Sequence, residues 1–237
     1  MSTAQPATLP NGPQHLIPTT VEDWKRSDAY HNSFLLAEDP SLTAALKHSH
    51  EEGLPHIEVS AAQGKFLHLL VKSAGAKRVL EVGTLAGYST IWLARGVPED
   101  GSVVTLELEE KHAKVAKENF ATAAVADKIT VIVGPAADTI KTLESNPPFD
   151  FAFIDADKAG NLTYFTETKR LVKSGGVIIV DNVVRNARVA DPDLTDASIE
   201  GVRKLLKAIK EDTEVEATTI GTVGDKGYDG FLYAVRK

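Results

Sequence analysis

From Lys77 onward the chain alternates short β-branched apolar runs with amphipathic stretches of roughly ten to fifteen residues, a rhythm that leaves few folds open. The runs are Arg78 to Val82, Ser102 to Leu106, Ile129 to Val133, Phe149 to Ile154 and Val177 to Val180. None is expected to have a wet face. Such strands pair in parallel, in a sheet covered by helices on both sides and joined by right-handed crossovers. Two more runs, Val215 to Ile220 and Tyr228 to Val235, have only the turn-rich Gly221 to Gly227 between them. They predict a terminal hairpin and hence a mixed sheet in an α/β fold.

Residues 19 to 75 read as helical. Trp24, Ala29, Phe34, Leu35 and Leu36 fall at roughly helical spacing, Pro40 stops that element, and Leu42, Ala45 and Leu46 mark a second helix. A break at Gly53 to Pro55 precedes a third, with Phe66, Leu67, Leu70 and Val71 as its buried stripe. Ahead of these, Pro6, Pro10, Pro13 and Pro18 with Asn11-Gly12 make residues 1–18 a tail or arm. One domain is expected over 19–237, with a helical cap at 19–75 and a doubly wound core at 76–237.

Twenty-six basic against 33 acidic residues give a net charge of -7, which repels polyanions, so no nucleic acid partner is expected. The absence of cysteine excludes disulfides, thiolate zinc sites and a cysteine nucleophile. No apolar run approaches the roughly 18 residues that span a bilayer, so no membrane partner is expected and a cytoplasmic protein is the default reading.

In a doubly wound sheet, ligands bind beyond the carboxyl ends of the strands, near the point where strand order reverses. The first segment there is Glu81-Val82-Gly83-Thr84-Leu85-Ala86-Gly87-Tyr88-Ser89. Gly83 permits a tight turn and close approach of a ligand, and Ser89 can donate from the start of a helix. With Leu85 between Gly83 and Gly87, the loop departs from the G-x-G-x-x-G dinucleotide pattern. Glu107 ends the next run, where its two oxygens suit a ribose diol.

The third segment delivers Asp155, Asp157 and Lys158 from an apolar strand. Neighbouring carboxylates at a buried strand end repel unless a cation or donor lies beside them, and a helix cap needs only one such residue. The fourth brings Asp181 and Asn182 to an adjacent end. Asp155, Asp181 and Asn182 offer hard oxygen donors alone, suited to magnesium, manganese or calcium rather than zinc or copper. Two carboxylates balance a divalent ion, and the neutral amide leaves room for an incoming anion.

The segments EVGTLAGYS, FIDADK and IIVDN, with the terminal hairpin, resemble the cation-dependent, S-adenosylmethionine-dependent O-methyltransferases of the caffeoyl-CoA and catechol type. The resemblance runs from about Val59 to the C-terminus. It implies a Rossmann-like class I methyltransferase fold with seven strands, a divalent metal, most simply magnesium, on Asp155, Asp181 and Asn182, and Lys158 as general base next to Asp155. It carries S-adenosylmethionine contacts onto Val59, Glu81, Gly83, Thr84, Ser89, Glu107, Ala136 and Asp157, with Glu107 on the ribose. Members acting on caffeoyl-CoA tend to have a tryptophan shortly after the Asp-Asn pair, where this chain has Val183-Val184-Arg185-Asn186-Ala187-Arg188. Asn186 fits the family pattern and Arg185 does not; both are expected at the substrate, on a lid running from Val183 to Thr195. That lid and the N-terminal helices are also the expected contacts of a homodimer, the common state of members.

The implied acceptor is a small vicinal diphenol of catechol, flavonoid or caffeoyl type. Chelation of both oxygens lowers the acidity barrier of the attacking hydroxyl, and the rest of the catalysis is positioning. Three alternatives compete. A magnesium-dependent phosphatase would use Asp155 of the Asp-x-Asp pair as nucleophile, but it expects threonine or valine where Lys158 and Ala159 stand. A nicotinamide dehydrogenase expects the other glycine spacing, and a non-catalytic module leaves the oxygen donors and lysine unexplained.

Overall fold

The computed structural model describes residues 18–237, so the proline-rich arm, apart from Pro18, lies outside the described residues. The strands are β1 (Arg78–Val82), β2 (Ser102–Glu107), β3 (Ile129–Val133), β4 (Phe149–Ile154), β5 (Val172–Val180), β6 (Val215–Gly224) and β7 (Gly227–Arg236). They form one sheet in the order β3-β2-β1-β4-β5-β7-β6, with β1 to β5 parallel and β7 antiparallel to both β5 and β6. The helices are α1 (Val21–Leu35), α2 (Pro40–Glu51), α3 (Ala61–Ser73), α4 (Tyr88–Gly96), α5 (Glu110–Thr122), α6 (Ala136–Thr142), α7 (Asn161–Leu171) and α8 (Ala197–Glu211). This is the expected mixed α/β fold.

Period-two alternation splits the core in two. Phe151 and Phe153 of β4 pack with Leu67 and Val71 of α3, Ile91 of α4 and Phe120 of α5. Ala152 and Ile154 face the other way, onto Ile140 of α6, Phe165 of α7 and Val202 and Leu205 of α8. Each fully buried phenylalanine contributes about 2–3 kcal/mol of apolar transfer. Because both faces of the central strands are filled, function is confined to the sheet's rim.

The structure corrects several expectations. β5 begins at Val172 rather than Val177, because α7 leads straight into an irregular stretch whose pairing shifts register between Phe149 and Phe151. The hairpin turn is tighter, with Asp225 and Lys226 alone between the strands. β3 has partly exposed residues along its length, as its position at the sheet's edge requires, and so does have a wet side. Of the expected stripe on α3, Leu67 and Val71 are buried, with Gly64, whereas Phe66 is exposed and Leu70 only partly buried.

The apolar face of α1 is also uncovered. Thr20 and Asp23 close a capping box at its start, and Asp28 Oδ2 accepts from Asp225 N at 2.9 Å, tying the helix to the hairpin tip. Yet Phe34 and Leu35 are 72% and 71% exposed. Among the described residues, no helix is long and apolar enough to cross a membrane.

Candidate active site

Register brings the informative residues to one level. Val82 pairs with both Leu106 and Ile154, and Ile154 pairs with Val180. The next backbone amides extend these ladders: Gly83 N donates to Leu106 O, Asp155 N to Val82 O, and Asp181 N to Ile154 O, at 2.8–3.0 Å. The strand order reverses between β1 and β4, where the crossovers diverge to opposite sides and open a cleft of about 850 Å3. Gly83 takes φ +100°, and an added Cβ would collide with the carbonyl oxygen of Asp155, so only glycine serves there.

On the β1–β2 side, the carboxylates are saturated. Glu81 is fully buried and does not line the cleft; its oxygens accept from the hydroxyls of Ser89 (2.6 Å), Thr90 and Thr105 (2.7 Å). Burial pushes its pKa up to about 7 despite these donors. Ser89 reaches the cleft, but its hydroxyl proton is committed to Glu81. Glu107 Oε2 accepts from Thr84 N (3.1 Å) and Leu85 N (2.7 Å), while Oε1 accepts from Glu109 N (3.0 Å) and lies 3.2 Å from His112 Nδ1. Glu107 therefore shapes the β1–α4 loop as well as facing the cleft. Val59, Gly83, Thr84, Ala136 and Asp157 line the same space.

The β4–β5 side is charged and sparsely donated. Lys158 is almost wholly buried, and its Nζ donates to Asp155 Oδ1 at 2.6 Å. Asp181 is 4% exposed; Gln63 Nε2 donates to its Oδ2 at 2.7 Å and Asn182 N to its Oδ1 at 2.8 Å. Burial, then the nearby Asp155 charge, raises the Asp181 pKa well above the usual carboxylate range. Asn182 follows in the left-handed region at φ +56° and lines the cleft with Asp155.

Asp157 turns away from Asp155. It caps the 3-10 turn Lys158–Gly160, accepting from Gly160 N (2.9 Å) and from the Tyr164 hydroxyl. Burial and that carboxylate hold the Tyr164 phenol above its ordinary range. Asp157 thus caps this turn, while α7 itself starts after Gly160 without a side-chain cap.

Past Asn182 the chain is stitched to β7. Val183 N donates to Gly230 O and Asn186 N to Tyr228 O, while Asp229 Oδ1 accepts from Val184 N (3.1 Å) and Arg185 N (2.7 Å). Arg185 lines the cleft; Asn186 is exposed and does not. Four participants carried no signal in the sequence: Gln63, His112, Tyr164 and Asp229. Gln63 lies in the first turn of α3, where Ser60 accepts from its backbone N–H at 3.1 Å, and its carboxylate partner is 118 residues away.

Among the described residues, no three His, Cys, Asp or Glu side chains gather as a metal cluster; the strand ends here offer two carboxylates and an amide. That donor set fits a hard divalent cation. Asp181 is buried against a second negative charge, and nothing but Lys158 donates to Asp155 among the described residues.

Residues 28–234 match the O-methyltransferase family. A catechol O-methyltransferase of Mycobacterium tuberculosis is 51% identical over 209 residues, 88% of this chain and 94% of that protein. An O-methyltransferase from Bacillus cereus in complex with S-adenosylhomocysteine superposes with a TM-score of 0.89 at 45% identity, over 92% of this chain and all of that one. One of tomaymycin synthesis from Streptomyces achromogenes, in complex with S-adenosylmethionine, gives 0.89 at 44% identity over 93% and 100%. The phosphatase, dehydrogenase and inert-module readings give way to these relationships. With a seven-stranded sheet that closes on an antiparallel hairpin and a cleft at its switch point, the chain belongs to the O-methyltransferase family and is a methyltransferase enzyme.

Proposed function

We propose that the protein moves the methyl group of S-adenosylmethionine to one hydroxyl of a vicinal diphenol held at a divalent cation, most simply magnesium. The observation that carries this reading is the pair of acidic side chains at adjacent strand ends: Asp181, buried and pushed toward neutrality, faces Asp155, and Asn182 follows. Asp155, Asp181 and Asn182 would hold the metal, whose contribution is positive charge beside a phenol oxygen.

The chain's own residues do the rest. The β1–α4 turn at Gly83 and Thr84, with Val59, Ala136 and Asp157 around it, forms the wall for the sulfonium cosubstrate, as the solved relatives with bound cofactor support. Glu107 faces the ribose, and its hold on the Thr84 and Leu85 amides fixes that loop before the ligand arrives. Glu81 acts from beneath, anchoring Ser89. Lys158 Nζ, which Asp155 fixes in the cleft wall, receives the proton of the acceptor hydroxyl as the neutral amine and becomes the ammonium. A cleft of about 850 Å3 takes a cosubstrate and a small aromatic together.

Residues 19–237 act as one unit in this reading, and the protein works as a homodimer. Phe34 and Leu35 of α1, with Ile220 and Val223 of β6, leave an apolar face that a second copy would cover.

The test is methyl transfer from labelled S-adenosylmethionine to catechol. Turnover is expected to vanish with chelator and return with added magnesium; transfer indifferent to chelator overturns the metal, and no transfer to any vicinal diphenol overturns the acceptor.

A further inference from the structure

Arg185 is a cleft-lining charge without a side-chain partner. Among the described residues every other arginine side chain has a partner: Arg26, Arg95, Arg170, Arg188 and Arg203 pair with carboxylates, and Arg78 and Arg236 donate to backbone carbonyls. Arg185 has none, and its Nε is buried without a hydrogen-bond partner although the residue lines the cleft. None of the acidic groups that line the cleft pairs with it. Asp155 pairs with Lys158, Asp157 takes the Gly160 amide and the Tyr164 hydroxyl, and Glu58 pairs through Oε1 with Lys226 at 3.0 Å while its Oε2 is buried without a hydrogen-bond partner.

The backbone that presents Arg185 is held firmly. It takes φ +54°, its amide donates to Asp229, and its neighbours Val183 and Asn186 are bonded to β7. A surface arginine on a free loop would shed this order and stay in water. A buried guanidinium N–H with no acceptor costs free energy until an acceptor enters, and a planar carboxylate matches the guanidinium fork.

Resting on the catechol reading above, we infer that the preferred acceptor carries a carboxylate on its ring or on a short side chain, bound by Arg185. Arg185 thus sets acceptor specificity and takes no part in the chemistry.

The experiment compares wild type, Arg185→Gln and Arg185→Lys on protocatechuate and caffeate, each against its methyl ester, at saturating S-adenosylmethionine and magnesium. Wild type is expected to favour at least one acid over its ester by about tenfold or more in kcat/KM. Arg185→Gln should erase that preference through KM, with kcat within about twofold and ester turnover unchanged, and Arg185→Lys should restore part of it. Calorimetric affinity for S-adenosylmethionine should stay the same in all three.

Equal losses on acid and ester would make Arg185 merely structural, and a loss of S-adenosylmethionine affinity would place it on the cosubstrate carboxylate; either overturns the inference. So would a coenzyme A thioester of caffeate used better than the free acid in an Arg185-dependent way, which would assign the anion to the phosphates. Methylation without preference for an acid sinks this inference alone, whereas no methylation of any of these diphenols sinks the catechol reading with it.

Discussion

The two halves of the cleft treat their carboxylates in opposite ways. On the β1–β2 side, Glu81 takes three hydroxyl donors and Glu107 two loop amides on one oxygen and a third on the other. On the β4–β5 side, Asp155 has only Lys158, and Asp181 has Gln63 and an adjacent amide while facing a like charge. Saturated carboxylates hold a backbone in shape and need nothing further. Undersaturated, mutually repelling ones are costly unless something positive completes them.

The largest expected effect breaks that contrast at its charged end. Asp181→Asn keeps the shape and removes the charge, so methyl transfer to catechol should fall by about 10³-fold and calorimetric magnesium binding should disappear. The same variant in chelator should melt at a higher temperature than wild type at neutral pH, because a buried, repelled charge is gone. Full activity, or a lower melting temperature in chelator, would mean that Asp181 is as well satisfied as Glu81.

Next comes the saturated side. Glu81 has its pKa raised to about 7 in the fold, so the folded state binds this proton more tightly than the unfolded chain does. Its contribution to stability is therefore complete below the unfolded value near pH 4.5 and is lost as pH rises through about 7. The loss is up to about 3 kcal/mol. Denaturant unfolding in chelator, in an Asp181→Asn background that removes the other raised carboxylate, should show this decline, and Glu81→Gln should flatten it. An unaltered slope in Glu81→Gln would mean that the three hydroxyls keep Glu81 ionised throughout.

Much of this contrast could be read along the chain, and its limits follow from distance. Asp155 and the Asp181–Asn182 pair are legible because each directly follows an apolar strand, and parallel register then sets strand ends side by side. The roles of Glu81, Ser89 and Asp157 were less so, since whether a carboxylate faces a ligand or a hydroxyl depends on partners such as Thr105 and Tyr164. Gln63 and Asp229 were invisible: each is an ordinary polar residue until the fold brings it to Asp181 or to the turn at Arg185. The helices of residues 19–75 are read from period alone, which is why Phe66 reads as part of a buried stripe; periodicity shows that a face is apolar, not what covers it.

A smaller effect is expected from a residue that does not line the cleft. Gly201 in α8 lies so close to the Lys158–Gly160 turn that an added Cβ would collide with the Lys158 carbonyl oxygen and the Ala159 Cα. Gly201→Ala should cost about 2 kcal/mol of stability and lower kcat by about tenfold through displacement of Lys158, while affinity for S-adenosylmethionine holds. If affinity falls as steeply as kcat, the turn supports the β1–β2 side too, and the two halves are less separable than their hydrogen bonds suggest.

The smallest effect tests the residue on the border. Asp157 leaves the same strand as Asp155, yet it is treated like the glutamates opposite, with the Gly160 amide on one oxygen and the Tyr164 hydroxyl on the other. Tyr164→Phe removes one of two donors and leaves the ring in place, so about 1 kcal/mol of stability should be lost. The phenol cannot serve as a base here, since burial and Asp157 hold its proton on. The pH dependence of kcat should therefore be unchanged in Tyr164→Phe, with affinity for S-adenosylmethionine weakened by about two- to fivefold as Asp157 loosens. A shifted pH profile would move Tyr164 from support into the chemistry and make the β4–β5 side a proton path with two members rather than one.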